Sequence, residues 1–189
     1  MNLASLPNVL TLARIVAVPL VVALFYWSHP WSNPLAAIVF IVAALTDSLD
    51  GYLARRLGLT TPLGEFLDPV ADKLMVATAL VLLVGHDTRP LIVITAVVII
   101  GREITVSALR EWMAHLGARA KVAVSGMGKV KTIVQMTGLS MMMFRSDVFG
   151  LPVYETGVVL LVVAGALTLW SMVNYLQAAW PELRRNPLP

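Results

Sequence analysis

The sequence contains no cysteine among its 189 residues. Disulfides, zinc-thiolate centres and thiol nucleophiles are therefore excluded, and the redox compartment is not legible. Charge is scarce as well. Asp, Glu, Lys and Arg make up 13% of the chain, against roughly 25% in a soluble domain. So little charge cannot cover a water-facing surface, which excludes a soluble globular enzyme, a disordered protein and a coiled coil. The three histidines, His29, His86 and His115, have no ligand-like spacing. No basic cluster precedes the first apolar stretch and no small-residue cleavage pattern follows it, so no cleaved signal peptide is expected.

What the chain has in quantity is apolar. Hydrophobic residues reach 58% and the mean hydropathy is +0.81. Six apolar segments, at residues 9–27, 35–57, 66–85, 91–116, 122–144 and 153–179, are separated by turn-like breaks. Lipid admits only helices or closed barrels as spanning elements. Barrel strands would alternate in polarity, and these runs do not. The expectation is an all-α integral membrane protein with six transmembrane helices. Six spans of about 20 residues use roughly 120 residues, so residues 1–189 form a single membrane domain. Eleven Lys and Arg residues fall at the N-terminal segment, the second and fourth connections with their flanks, and the C-tail. Two, Arg89 and Arg145, fall at the other connections. The bias predicts that both termini are cytoplasmic.

The second and third spans are too short if they stop at their acidic residues. Residues 35–46 number twelve, about 18 Å of helix against a hydrocarbon core of about 30 Å. Both spans must continue through their carboxylates, which places those groups at inner-leaflet depth. Asp47 and Asp50 are i,i+3 on one helix; Asp68 and Asp72 are i,i+4 on the next. Each pair shares a face, and the short link at residues 56–63 lets the two faces oppose one another. An ionised Asp at membrane depth costs about 2.5–3.5 kcal/mol, so four together need cations or a wet cavity. Aspartate oxygens suit hard divalent ions such as Mg²⁺, and two such ions about 4 Å apart would clamp a phosphate. Separately paired helix-end carboxylates are the plainer alternative. Gly51 and Gly64 would let a backbone or nucleotide come close, or simply pack helices. Ala54 reads as packing. Arg55 would meet a pyrophosphate or snorkel to the interface.

The pattern D-x₂-D-G-x₂-A-R-x₈-G-x₃-D-x₃-D, from Asp47 to Asp72, resembles the signature of the CDP-alcohol phosphatidyltransferase family at every fixed position. The resemblance implies that Asp47, Asp50, Asp68 and Asp72 hold two divalent metal ions, Mg²⁺ or Mn²⁺, with Asp72 as general base. It implies that Gly51, Ala54, Arg55 and Gly64 lie near the nucleotide of CDP-diacylglycerol. It also implies a six-helix membrane bundle with an N-terminal juxtamembrane helix, generally a homodimer.

Two further stretches, from Pro7 to Ile15 and from Gly101 to Trp112, resemble a bacterial branch of the family that uses glycerol 3-phosphate as acceptor, as do Gly128-Lys129-Val130-Lys131-Thr132 and residues 169–176. This likeness implies a bacterial cytoplasmic (inner) membrane, with the active site on the cytoplasmic side and no nucleic-acid partner. Arg110, Lys129 and Lys131 would hold the acceptor's phosphate, or bind anionic lipid heads as a positive flank. Arg102 lies deeper, as a phosphate ligand or one half of a structural ion pair. Asn8 and Thr11 would contact substrate or cap the first helix. The expected reaction is transfer of a phosphatidyl group to the sn-1 hydroxyl of glycerol 3-phosphate. The alternatives are the same chemistry with inositol phosphate, serine or phosphatidylglycerol as acceptor, and a transporter with an acid-lined path. A transport path would need polar groups on both sides of the midplane.

Overall fold

A computed structural model of the chain describes residues 6–57, 62–115, 126–148 and 150–185. It contains six helices: α1 (Leu6–Tyr26), α2 (Ser32–Leu57), α3 (Pro62–His86), α4 (Pro90–His115), α5 (Gly126–Phe144) and α6 (Val153–Arg185). The described residues include no strand, only an isolated bridge between Val148 and Leu151. The six apolar segments thus correspond to six helices; the breaks after α1, α3 and α5 fall in connections, and those after α2 and α4 lie outside the described residues. The juxtamembrane start expected before the first span is not a separate helix among the described residues. Residues 7–14 are the opening turns of α1 itself.

Among the described residues, three helices carry stretches long and apolar enough to cross a membrane: Val9–Tyr26, Pro90–Ala114 and Val153–Trp180. In α2 the apolar stretch Ser32–Asp47 is shorter. The reason lies in composition. The second half of α2 and the first half of α3 carry the Asp residues, and α5 carries Lys129 and Lys131 near its start. With 26 residues, α2 is nonetheless about 39 Å long at about 1.5 Å per residue.

The bundle has two groups of helices: α1 packs on α2 and α3, while α6 packs on α4 and α5. Contacts of α2 with α5 and of α3 with α4 and α5 join them. Phe40, Leu80, Leu83, Ile99, Leu139, Met142 and Met143 are fully buried at the centre. Large apolar side chains such as Val16, Ile94, Val97, Ile133 and Val159 face outward. A water-soluble monomer rarely shows so much apolar surface; a lipid-facing one does. Without a hydrophobic drive between helices in lipid, close backbone approach holds them together. At the α5–α6 crossing, a Cβ on Gly157 would lie 2.9 Å from the Gly138 carbonyl oxygen and 2.9 Å from the Met142 nitrogen. A Cβ on Gly165 of α6 would meet Thr95 Cγ2 of α4 at 3.0 Å.

One end of the bundle is fastened by polar groups. Arg89 Nε donates to Asp87 Oδ2 (2.8 Å), Arg89 Nη1 to Glu155 Oε2 (3.0 Å), and the Tyr154 hydroxyl to Asp87 Oδ2 (2.9 Å). The Arg89 hydrogen bond holds the Asp87 carboxyl below its ordinary range. These bonds tie the α3–α4 turn to the start of α6. Arg145 ends α5 with φ at 61° and lays its guanidinium over the Phe25 ring, 4.2 Å from the centroid.

Candidate active site

The opposite end gathers the acids. Thr11 and Arg14 are one turn apart on α1 and almost completely buried, on the face that meets α2 and α3. The Thr11 hydroxyl donates to Asp68 Oδ1 (2.6 Å). Arg14 Nη1 donates to Asp47 Oδ1, and Nη2 donates to Asp68 Oδ1 (3.2 Å). One guanidinium fork therefore bridges α2 and α3 from α1, which suits the planar geometry of arginine. Thr11 is not a cap; it is an inter-helix ligand of a carboxylate. Asp47 and Asp68 keep side-chain exposures of 41% and 42%, so each retains an open side.

Asp47 and Asp72 line one cavity of about 240 Å³. Arg14 lies at the same polar end, and Ala43, Leu45, Met75, Ile133 and Met136 form much of the apolar wall. A second groove of about 210 Å³, between α1 and α2, also reaches Arg14 and is otherwise lined mainly by apolar residues such as Leu10, Ala17, Ile38 and Val42. Charged oxygens next to apolar hollows are what an amphiphile with a charged head requires.

A third, smaller cavity lies on the other side of Asp72, against α4 and α5. There Lys131 is buried and its Nζ donates to Glu103 Oε1 (2.9 Å). Arg102 Nη1 donates to the same oxygen (2.9 Å), and Arg102 Nη2 donates to Ser171 Oγ on α6 (3.0 Å). Arg110 Nη2 donates to the Tyr175 hydroxyl (3.0 Å), with the guanidinium 5.3 Å from the ring centroid. Arg102 and Arg110 are thus tied to α6, whereas Lys131 lines the cavity that contains Asp72.

The expected site residues divide accordingly. Asp47 and Asp72 line the larger cavity and Asp72 and Lys131 the smaller one, Asp68 is joined to Asp47 through Arg14, and Gly64 is buried in the first turn of α3. Asp50, Gly51, Ala54 and Arg55 lie on the last turns of α2, Asn8 on α1 and Lys129 on α5, but their side chains lie outside the described residues. Among the described residues no three His, Asp or Glu side chains close on one point. The donor chemistry still fits a hard divalent cation: Asp47 and Asp72 offer carboxylate oxygens to the same cavity, with neither His nor Cys on its wall. Arg14 and Glu103 had no assigned role in the sequence reading. The available signal for Arg14 was its place inside a strongly apolar helix, since an intramembrane arginine implies a partner.

Residues 4–170 match the model of the CDP-alcohol phosphatidyltransferase family. The CDP-diacylglycerol–glycerol-3-phosphate 3-phosphatidyltransferase of Escherichia coli (strain K12) is 48% identical over 179 residues, covering 95% of this chain and 97% of the relative. The protein of the same name from Salmonella choleraesuis (strain SC-B67) is 46% identical over 179 residues, with the same coverage. The chain belongs to the CDP-alcohol phosphatidyltransferase family.

Proposed function

We propose that the chain transfers the phosphatidyl group of CDP-diacylglycerol to the sn-1 hydroxyl of glycerol 3-phosphate. The observation that carries this reading is the placement of Asp47 and Asp72 at the polar end of an otherwise largely apolar cavity. The names and close similarity of the bacterial relatives support the same donor and acceptor.

The donor's acyl chains lie in the apolar hollows and its pyrophosphate at the carboxylate end. Asp47, Asp50, Asp68 and Asp72 would hold two divalent cations, Mg²⁺ or Mn²⁺. Bound there, the ions would neutralise phosphate charge and polarise the phosphorus–oxygen bonds. Arg14 keeps Asp47 and Asp68 in register from α1. The acceptor enters from the Lys131 side, with Lys131, Lys129, Arg110 and Arg102 supplying positive charge for its phosphate. Asp72 borders both spaces and takes the proton of the sn-1 hydroxyl as its oxygen attacks the lipid-side phosphorus. The bond from that phosphorus to the CMP oxygen breaks, and CMP leaves with the electron pair. Positioning of the two substrates and the charge of the bound ions would supply much of the acceleration; the base adds about 10²–10⁴-fold.

All six helices cross the bacterial inner membrane in this reading. Both termini and the acidic end face the cytoplasm, where glycerol 3-phosphate is dissolved and into which CMP leaves. Gly51, Ala54, Arg55, Gly64, Asn8 and Thr11 flank the nucleotide. A homodimer is the expected assembly. The acid-lined path of a transporter has no support: between the carboxylate end and the Asp87–Arg89 end, the described core is dominated by buried apolar side chains.

The test is purified protein with Mg²⁺, CDP-diacylglycerol and each candidate alcohol, with CMP release measured. Glycerol 3-phosphate is expected to give the product phosphatidylglycerol phosphate. Asp47→Asn, Asp68→Asn and Asp72→Asn are each expected to abolish transfer while the protein still inserts. Full activity in all three variants would overturn the metal-site reading.

A further inference from the structure

Gln135 lies on α5, one turn beyond Lys131. Its side chain is 3% exposed, and its Oε1 atom is buried with no hydrogen-bond donor among the described residues. Buried acceptors left in this state are rare, because desolvation without a replacement bond is unfavourable. Gln135 is on the wall of the small cavity that also touches Asp72, Lys73, Glu103, Lys131 and Thr132. That cavity measures about 30 Å³, and a group the size of water needs only about 10–15 Å³.

The chemistry of the missing partner is narrow. A carbonyl oxygen accepts and does not donate, so it repels the acceptor's phosphate and must meet an O–H or N–H. The attacking hydroxyl is committed to Asp72. In glycerol 3-phosphate one other hydroxyl remains, on the carbon between the attacking hydroxyl and the phosphate-bearing carbon. A molecule whose phosphate is near Lys131 and whose attacking oxygen is near Asp72 must place that middle carbon between them, where Gln135 borders the same space.

We infer that Gln135 reads the second hydroxyl of the acceptor, accepting its hydrogen bond and so selecting a vicinal-diol phosphate over a plain alcohol phosphate. The inference rests on the proposed phosphatidyl transfer and adds the group that recognises the acceptor. A site built around a hydroxyl rejects the analogue that lacks it, because the buried acceptor is then left unpaired.

The probe is 3-hydroxypropyl phosphate, which keeps the attacking hydroxyl and the phosphate and lacks the middle hydroxyl. Full-length protein with Mg²⁺ and CDP-diacylglycerol is assayed with this compound and with glycerol 3-phosphate. The wild type is expected to favour glycerol 3-phosphate in kcat/KM by about tenfold or more, a typical consequence of one hydrogen bond. Gln135→Met keeps the volume and removes the acceptor. It is expected to lose that preference while turning over the analogue within about twofold of wild type, with the KM for CDP-diacylglycerol unchanged. Its thermal unfolding without substrate is expected to stay level or rise, since no native bond is removed. An equal loss on both acceptors would assign Gln135 to packing and overturn the inference. So would a wild type indifferent to the middle hydroxyl, a measurement that needs no variant. Failure of the wild type to use either compound, with CMP released for some other alcohol, would instead overturn the choice of glycerol 3-phosphate, and the Gln135 role with it.

Discussion

Arg14 holds the acidic end in place with a single side chain. Its fork reaches Asp47 on α2 and Asp68 on α3. Lysine keeps the charge but cannot present two parallel donors. Arg14→Lys is therefore expected to lower the rate of CMP release about tenfold or more with insertion unaffected. Arg14→Ala removes the charge too. Breaking a fully buried pair costs about 3–5 kcal/mol, but both acids are partly open to solvent, so about 1–2 kcal/mol is expected after screening, read as a lowered Tm in detergent. Lys131 has three donors and spends one on Glu103 among the described residues. Lys131→Ala is expected to raise the KM for glycerol 3-phosphate more than that for CDP-diacylglycerol. Equal effects on the two would remove acceptor selectivity from this position.

The residue pattern was legible unevenly. The spacing of Asp47, Asp68 and Asp72 points to acids gathered at one end of the bundle, where the structure places them, while the Asp50 side chain lies outside the described residues. The partners of those acids did not appear in the sequence, because partners depend on how each helix is rotated about its axis. Rotation is encoded by a polar and an apolar face, and a helix such as Val9–Tyr26, apolar nearly all round, encodes it poorly. Thr11 reads from the sequence as a substrate contact or a cap, and in the structure its hydroxyl donates to Asp68. Arg102 read as a phosphate ligand or an ion-pair partner, and the structure pairs it with Glu103 and Ser171. Gln135 had no signature at all.

At the scale of elements, the α5–α6 crossing depends on two glycines facing one another. Both neighbours of a Cβ on Gly157 include backbone atoms, which cannot rotate aside as a flexible side chain does. Gly157→Ala is expected to force the helices apart and destabilise the protein by about 1–3 kcal/mol, despite alanine's better helix propensity. Gly85→Ala is the control. A Cβ there meets nothing within 4 Å, so its Tm should hold or rise. A Tm drop of the same size in both variants would show that the crossing is not the cause. The element boundaries themselves were readable from the Pro-, Gly- and Asn-containing breaks. The exceptions are the start of α1, whose opening turns run unbroken into the apolar stretch, the start of α3 at Pro62 rather than 66, and the end of α6, which runs past residue 179 to Arg185.

For the whole molecule, the absence of cysteine makes orientation directly measurable. With no background thiol, Thr88→Cys on the α3–α4 connection should react with an impermeant maleimide added to intact spheroplasts. Arg185→Cys at the end of α6 should react only after permeabilisation. The opposite pattern would place the acidic end outside and overturn the cytoplasmic assignment. The positive-charge bias and the family resemblance are the sequence clues to this property.

Asp72, Thr132 and Met136 border both the larger amphiphilic cavity and the small polar one. They form a party wall between two chambers with separate furnishings. Among the described residues, helices α1 and α2 supply no wall of the smaller chamber, and α4 supplies none of the larger. If donor and acceptor occupy the two chambers as proposed, α4 and one face of α5 can be redecorated to admit a new alcohol while the lipid's room stays as it was.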